Sequence, residues 1–326
     1  MAYVVTGATG FLGRFVARAL RARGFQVLGT GRDPQQIAAR RAEGIAMEAG
    51  DLAEPAFAQR LLQDAEGCIH CAALASPWGP AEAFERANVR VTENVVAALP
   101  ANAPLVHISS PSVYGVREDT YRIRETHPKT PYDAYARTKW RAEGVVRDRA
   151  EPGVILRPRA LYGPEDQVII PRVVDAMRRR RLPRFWPGDN LVDLTYIEDA
   201  ADAAVLALEH LRRGDAKATE AFNVTSDSPV PLLPLLDRLA AGLDLPRPVL
   251  PLPRPLALAA GRALERVARV TGKEPLLSEY SATLLTTSIT LDISKAREVL
   301  GYEPRVDLDE GVRRYLRWRT EHPEAA

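Results

Sequence analysis

The stretch TGATGFLG, residues 6–13, lies between a short apolar run, Ala2–Thr6, and an amphipathic pattern over Phe11–Arg23. Gly7, Gly10 and Gly13 recur in it at three-residue intervals. Between a strand and a helix each glycine has a physical reason. Gly7 permits the tight turn, Gly10 lets backbone approach a pyrophosphate, and Gly13 allows the helix to pack closely on the strand. The helix N-terminus then offers unpaired N–H groups and a positive dipole end to phosphate. Glycine triplets alone are a weak signal. The position after a first strand and before a helix is the context that dinucleotide binding requires.

Outward from this loop, strand patterns at Gln26–Thr30, Ile45–Glu48, Cys68–Ala72, Leu105–Ser109 and Val154–Leu156 alternate with helical spacing. The helices are expected over Pro34–Glu43, Pro55–Gln63, Ala81–Leu99 and Asp133–Ala150. Such alternation predicts an α/β fold built from βαβ units around a doubly wound parallel sheet, with ligands at the carboxyl ends of its strands. After Arg157 proline becomes frequent and the pattern loosens. Strands are expected at Val192–Ile197 and Ala221–Thr225, and helices at Glu198–Leu211, Leu232–Gly242, Pro255–Val270 and Leu308–Arg319. We expect residues 1–157, with returning segments 192–226 and 286–305, to form the dinucleotide domain. Residues 158–191 and 227–285 would form a smaller C-terminal substrate-binding lobe.

Composition sets further bounds. A chain of 326 residues suggests about two domains. A net charge of +2 lacks the basic excess of a general nucleic-acid binder. Only five of the 44 basic residues are lysine. No secretory signal or membrane-length apolar run is visible, so a cytoplasmic protein with no membrane span is expected. Two cysteines cannot staple a chain of this length, and the five histidines show no metal spacing. Cys68 and Cys71 sit three apart on an expected strand, hence on opposite faces, which argues for a structural role and no metal.

The second strand ends in VLGTGRDP, residues 27–34. An NAD site usually has an acidic residue there, holding both ribose hydroxyls. Gly31 followed by Arg32 instead leaves room for a 2′-phosphate and supplies a planar charged donor, which favours NADP over NAD. Arg14 is a candidate second donor, and Asp51, after the third strand, is a candidate for the adenine amino group.

Tyr135 and Lys139 stand four apart on an expected helix, so both project from one face. A phenol is a poor base at neutral pH, and an adjacent ammonium would favour phenolate. Ser109 and Ser110 end the fifth strand in LVHISSPSVYG. Ser110 is expected to bond the reacting oxygen, with Ser109 turned toward backbone.

Together the glycine loop, SSPSVYG, YARTK, LRPRALYGPED and TLDISKAREVLGYEP resemble the extended short-chain dehydrogenase/reductase superfamily, nearly end to end and in order. The resemblance implies a Rossmann-like domain and a catalytic set of Ser110, Tyr135 and Lys139. It implies that HCAALAS lines the cofactor through Cys71, Ala72 and Ala73, and that Asn88 supports the site. Thr9, Phe11, Leu12, Leu52, Ser109 and Pro158, with Tyr135 and Lys139 themselves, complete the expected cofactor contacts.

Three chemistries of that superfamily compete. Sugar-nucleotide dehydratases carry an Asp–Glu pair after the catalytic hydroxyl, where this chain has Pro111 and Ser112. Sugar-nucleotide epimerases carry an arginine where VDLTYIED has Val192, so a diphosphate would lack a bidentate contact. Arg172 or the run Arg178–Arg181 could substitute, although such a run at a helix end usually caps it in solvent. GDNLVDLTYIEDAADA instead resembles the 3β-hydroxysteroid dehydrogenase and 2-alkyl-3-oxoalkanoate reductase branch. That implies alcohol–ketone chemistry on a bulky apolar substrate, a 3-hydroxysteroid or a β-hydroxy/β-keto acid, lined by Trp78, Ser110, Tyr162 and Trp186. Phe185 and Leu245–Leu258 are further candidates. The rivals are a sugar-nucleotide epimerase and a non-enzymatic NAD(P)-sensing regulator. By the same resemblance, the helices Ala81–Leu99 and Asp133–Ala150 build a homodimer interface.

Overall fold

The computed structural model describes residues 2–186 and 188–323. Its centre is a seven-stranded sheet. The first five strands are β1 Tyr3–Thr6, β2 Val27–Gly31, β3 Ala46–Ala49, β4 Gly67–His70 and β5 Leu105–Ile108, followed by Gly153–Pro158 and Glu220–Val224. Every pairing is parallel, and the sheet runs from Glu220–Val224 through Gly153–Pro158, β5, β4, β1 and β2 to β3. The architecture is Rossmann-like, and its strand order reverses between β1 and β4.

Strands covered on both faces need apolar side chains on both, and β1, β4 and β5 are buried throughout. On one face Val5, Ile69 and Val106 pack in a cluster with the helices Phe11–Ala22 and Ile197–Arg212. On the other face Val4, Cys68, Leu105 and Ile155 meet the helices Pro55–Leu62 and Val91–Ala98, with Val146 from the helix Ala134–Arg147. Cys68 and Cys71 belong to opposite faces, as strand alternation requires, and both are free thiols. Burial pushes the Cys71 thiol up to about 12. No metal-binding group of His, Cys, Asp or Glu exists among the described residues.

The second half is stitched together by short strands. A four-stranded sheet joins Val230–Pro231, Leu191–Val192, Ile289–Leu291 and Thr120–Ile123, in that order. Two further pairs are Leu161–Tyr162 with Thr195–Tyr196, and Arg184–Trp186 with Pro251–Pro253. The strand expected over Val192–Ile197 is split, because Val192 pairs with Ile289 while Thr195 pairs with Leu161. Of the helix Ile170–Arg178 the sequence pattern marks only the end, at its arginine run, and it gives no sign of Glu279–Thr286. From the segment 286–305, Ile289–Leu291 joins the smaller sheet while Ile293, Ala296, Leu300 and Tyr302 enter the core under the large one. Among the described residues no helix is long and apolar enough to cross a membrane.

Candidate functional site

The glycine loop closes on itself as its sequence requires. Gly7 has φ +65, and the Gly10 N–H donates to the Gly7 carbonyl at 2.8 Å. A Cβ on Gly7 would lie 2.9 Å from Ala72 Cα, so this turn sits against the segment leaving β4 at the switch point. A Cβ on Gly13 would lie 2.2 Å from the Gly7 carbonyl oxygen, whereas one on Gly10 would meet only that oxygen, at 3.2 Å. Gly13 is therefore needed for packing, and Gly10 keeps the outer side open. No side chain caps the helix that starts at Phe11, which leaves its first-turn N–H groups for a ligand. Phe11 and Leu12 turn their side chains into the core. These features fit the pyrophosphate of a dinucleotide.

Around the ribose end three expectations change. The room at Gly31 is taken by Thr9, whose Cγ2 would stand 2.3 Å from a Cβ placed there. Arg14 is 3% exposed, donating through Nε to Gly10 O at 3.1 Å and through Nη1 to Glu165 at 2.7 Å; its Nη2 has no partner but is buried, so Arg14 is no exposed phosphate donor. Asp51 accepts from the Ala53 N–H at 2.9 Å and from Arg86 at 2.7 Å, so neither oxygen is idle. Arg32 is exposed and forms no ion pair with the described residues. Leu52 is buried beside this edge, and its carbonyl accepts from Asn94 at 2.9 Å.

After β4 the chain is pinned by small polar groups. The Ala72 N–H donates to Thr6 Oγ1 at 3.1 Å, and Thr6 Oγ1 meets His70 Nδ1 at 2.7 Å. Burial holds His70 neutral, its pKa pressed down to about 3. Two residues on, the Leu74 N–H donates to Asn88 Oδ1 at 2.8 Å. Asn88 is buried in a π-helical turn, Glu85–Arg90, between the helical segments Ala81–Phe84 and Val91–Ala98. Its amide nitrogen donates to Thr138 Oγ1 at 3.0 Å, and Thr138 in turn donates to the Tyr135 carbonyl at 2.9 Å. Asn88 thus couples the β4 loop to the helix that carries Tyr135.

Ser110, Tyr135 and Lys139 converge at the carboxyl edge of β5. Ser110 caps the short 3-10 turn Pro111–Tyr114 and accepts from the Ser112 N–H at 3.2 Å. Burial pushes the Tyr135 phenol up to about 12, while the neighbouring Ser110 hydroxyl pulls the other way. Asp133 caps the helix, accepting from the Ala136 N–H at 2.8 Å, and so fixes where Tyr135 emerges. Lys139 is 2% exposed and donates to the Ile108 carbonyl at 2.5 Å. Burial presses its pKa down to about 8, against the attraction of Glu143 and Cys71. The Ser109 hydroxyl is not turned to backbone: it donates to Glu143 at 2.6 Å. Sequence spacing could not foresee this, because Glu143 is one turn past Lys139 on a helix packed across the strand end.

A model of the NAD dependent epimerase/dehydratase family matches residues 3–225. The chain belongs to that family. It is 35% identical to the 2-alkyl-3-oxoalkanoate reductase of Stenotrophomonas maltophilia, over 96% of this chain and 98% of that protein. It is 31% identical to the sterol-4-alpha-carboxylate 3-dehydrogenase (decarboxylating) of Saccharomyces cerevisiae, over 86% of this chain and 84% of that one. The UDP-glucuronic acid 4-epimerase of Bacillus cereus, solved with NAD, matches in fold with a TM-score of 0.75. It covers 100% of this chain and 98% of that chain at 23% identity. The chain is an NAD-dependent enzyme of the epimerase/dehydratase family, and an oxidoreductase.

Aromatic rings stand around this epimerase/dehydratase-family site. Phe84 lies 6.3 Å from it, centroid to centroid, and Tyr132 lies 6.3 Å from Tyr280. Tyr280 stands on the helix Glu279–Thr286. The sequence reading passed over Tyr132 and Tyr280 because the signal that singles them out is spatial. Trp78 lies half-buried in the loop after β4, its carbonyl accepting from Ser76 at 2.7 Å. Tyr162 is not at the site: it is 2% exposed, stacked edge-on to Tyr196 at 5.6 Å in a core with Leu235 and Tyr315. Trp186 is 58% exposed on the strand Arg184–Trp186, and the structure does not bring it against Tyr135. Pro158 ends its strand level with Val224, at the same edge as the site.

Proposed function

We propose that this enzyme interconverts a secondary alcohol and a ketone on a bulky, largely apolar substrate with NADP(H), NAD being the weaker cofactor. The observation that carries the reading is that the hydroxyls of Ser110 and Tyr135 are neighbours at the strand edge, with Lys139 one helical turn from Tyr135. When bound, the nicotinamide supplies the hydride for reduction or accepts it in oxidation. In the reductive direction Tyr135 gives its proton to the carbonyl oxygen as the hydride reaches the carbon. Ser110 holds that oxygen by a hydrogen bond. Its raised pKa keeps Tyr135 protonated at neutral pH, which suits a proton donor. Lys139 would hold the nicotinamide ribose, and its charge would favour phenolate once the proton has left. Solvent then reprotonates the phenolate.

The relatives support a β-oxygenated acid as substrate. Both names, a 3-oxoalkanoate reductase and a sterol-4-carboxylate 3-dehydrogenase, describe an oxygen-bearing carbon β to a carboxylate. NADP is supported by the missing acid at the end of β2 and by Arg32, an exposed guanidinium with no partner among the described residues. The expected division into a cofactor domain and a substrate lobe, a cytoplasmic setting and a homodimer through Ala81–Ala98 and Ala134–Arg147 belong to the same proposal, with light scattering as the measure of the last. The epimerase reading is weaker. Val192 lies half-buried in a strand, Arg172 pairs with Glu274 at 3.1 Å, and Arg178–Arg181 are exposed beyond a helix end. UDP should therefore leave the melting temperature unmoved. A purely cofactor-sensing protein would have no use for the Ser110–Tyr135 pair.

The test is Tyr135→Phe. Turnover of 3-hydroxy acids with NADP+ should fall roughly 10²- to 10⁴-fold while NADP+ affinity is kept. Undiminished turnover in that variant would sink the assignment.

A further inference from the structure

Arg159 is a buried cation, and among the described residues nothing is bonded to its side chain. It is 9% exposed, its Nε has no hydrogen-bond partner, and among the described residues no carboxylate comes within ion-pair distance of its guanidinium. The backbone holds it firmly. Its N–H donates to the Val224 carbonyl at 3.1 Å, and its carbonyl accepts from Thr195 Oγ1 at 2.6 Å. Ile108 of β5 is level with Leu156 on the adjacent strand, so Arg159 emerges one residue past the level of Ser110. Adjacent strands are about 4.8 Å apart.

Guanidinium carries five N–H donors and does not shed its proton in proteins, so burial without partners is costly. Burial presses even this guanidinium below the ordinary arginine range. The carboxylate whose charge reaches it is Asp193. Its Oδ2 accepts from the Leu291 N–H at 3.0 Å and its buried Oδ1 has no hydrogen-bond partner, yet Asp193 closes no ion pair with Arg159. Elsewhere in this chain a buried arginine is met directly: Arg157 is 1% exposed and donates to Glu143 at 2.6 and 2.9 Å. Arg159 has no such partner among the described residues.

We infer that Arg159 binds the substrate's carboxylate, selecting β-hydroxy and β-keto acids over neutral steroid alcohols and fixing the β-carbon beside Ser110 and Tyr135. The planar fork suits a carboxylate bidentately. The inference rests on the alcohol–ketone reading above, which it narrows to an acid.

Two measurements separate the two claims. Equilibrium binding of 3-hydroxytetradecanoate and of its methyl ester to the enzyme–NADP+ complex is read by tryptophan fluorescence, in wild type, Arg159→Met and Arg159→Lys. Wild type should bind the acid about 10- to 150-fold more tightly than the ester. Arg159→Met should erase that preference and leave ester binding nearly unchanged, and Arg159→Lys should restore part of it. Unchanged NADP+ affinity in both variants shows that they are folded. No preference in wild type, no binding of either compound, or an equal loss of acid and ester in Arg159→Met would each overturn the carboxylate role. NADP+ reduction is followed separately. Arg159-dependent binding of the acid without any hydride transfer would leave the carboxylate site standing and remove the alcohol–ketone reading.

Discussion

Arg32 follows directly on a position where no side chain fits. Thr9 fills the space over Gly31, so the end of β2 presents neither a carboxylate nor a hydroxyl of its own, only the guanidinium of the next residue. A 2′-phosphate there would meet a free, exposed arginine, and bidentate charge-assisted bonding is the strongest polar contact available to it. Arg32→Ser should raise KM for NADP+ roughly 10- to 150-fold and leave KM for NAD+ nearly unchanged, so steady-state kinetics with both cofactors decide it. An equal rise for both would mean that Arg32 serves the adenosine generally. At this scale the sequence showed identities and spacings well: Gly7, Gly10, Gly13, Tyr135 and Lys139 stand where their motifs place them. It could not show commitments made in space. Arg14 looks free until Glu165 arrives from 151 residues away, and Ser109 looks like a backbone-bonding serine until Glu143 reaches it. Arg159 was unreadable for the opposite reason, since only the fold reveals that a buried arginine has no mate.

The helical stretch between Pro80 and Leu99 is interrupted where it matters. Its π-helical turn, Glu85–Arg90, swings Asn88 inward, and such turns concentrate at functional sites. From there Asn88 bonds Leu74 on the β4 loop and Thr138 on the Tyr135 helix, so one amide sets the distance between the cofactor-side loop and the proton donor. Asn88→Ala would strand the Leu74 N–H and loosen that spacing. Its melting temperature should fall by an amount equivalent to about 1–3 kcal/mol. As a positioning residue it should also lower kcat, by up to about 10²-fold, with little change in KM for the cofactor. A variant that loses stability alone would make Asn88 structural. Helical periodicity predicted this element and most others of the first half to within two residues, because each strand there meets a neighbour through a local βαβ unit. The short strands of the second half gave no such signal. Thr120–Ile123 pairs with Ile289–Leu291, and a strand of three or four residues fixed by a partner so distant has no periodicity to read. The split at Asp193 has the same cause, one segment serving two sheets.

A buried polar chain that starts one helical turn from Lys139 links the large sheet to the smaller one. Glu143, fully buried, accepts from Arg157 at 2.6 and 2.9 Å, from Ser109 at 2.6 Å and from Arg147 at 2.6 Å. Arg157 passes the connection on to Tyr114 at 2.8 Å, and the Tyr114 hydroxyl donates to Asn223 at 2.7 Å. Asn223 reaches the smaller sheet, donating to the Ile123 carbonyl at 2.8 Å. Burial by itself would raise the Glu143 carboxyl, but Arg157, Ser109 and Arg147 hold it below its ordinary 4.5. A carboxylate with a depressed pKa adds stability that is fully present above its unfolded value and lost as pH falls through its folded one. Glu143→Gln leaves Arg157 charged, buried and uncompensated, and should cost about 3–5 kcal/mol near neutral pH. The gap between wild type and variant should stay level down to the ordinary 4.5 and close below it, as the wild-type carboxyl takes up its proton. Denaturant titrations across that range measure it. A gap that persists undiminished in acid would mean that the glutamine fails by shape and not by charge, and that the chain from Glu143 to Ile123 is held by packing alone.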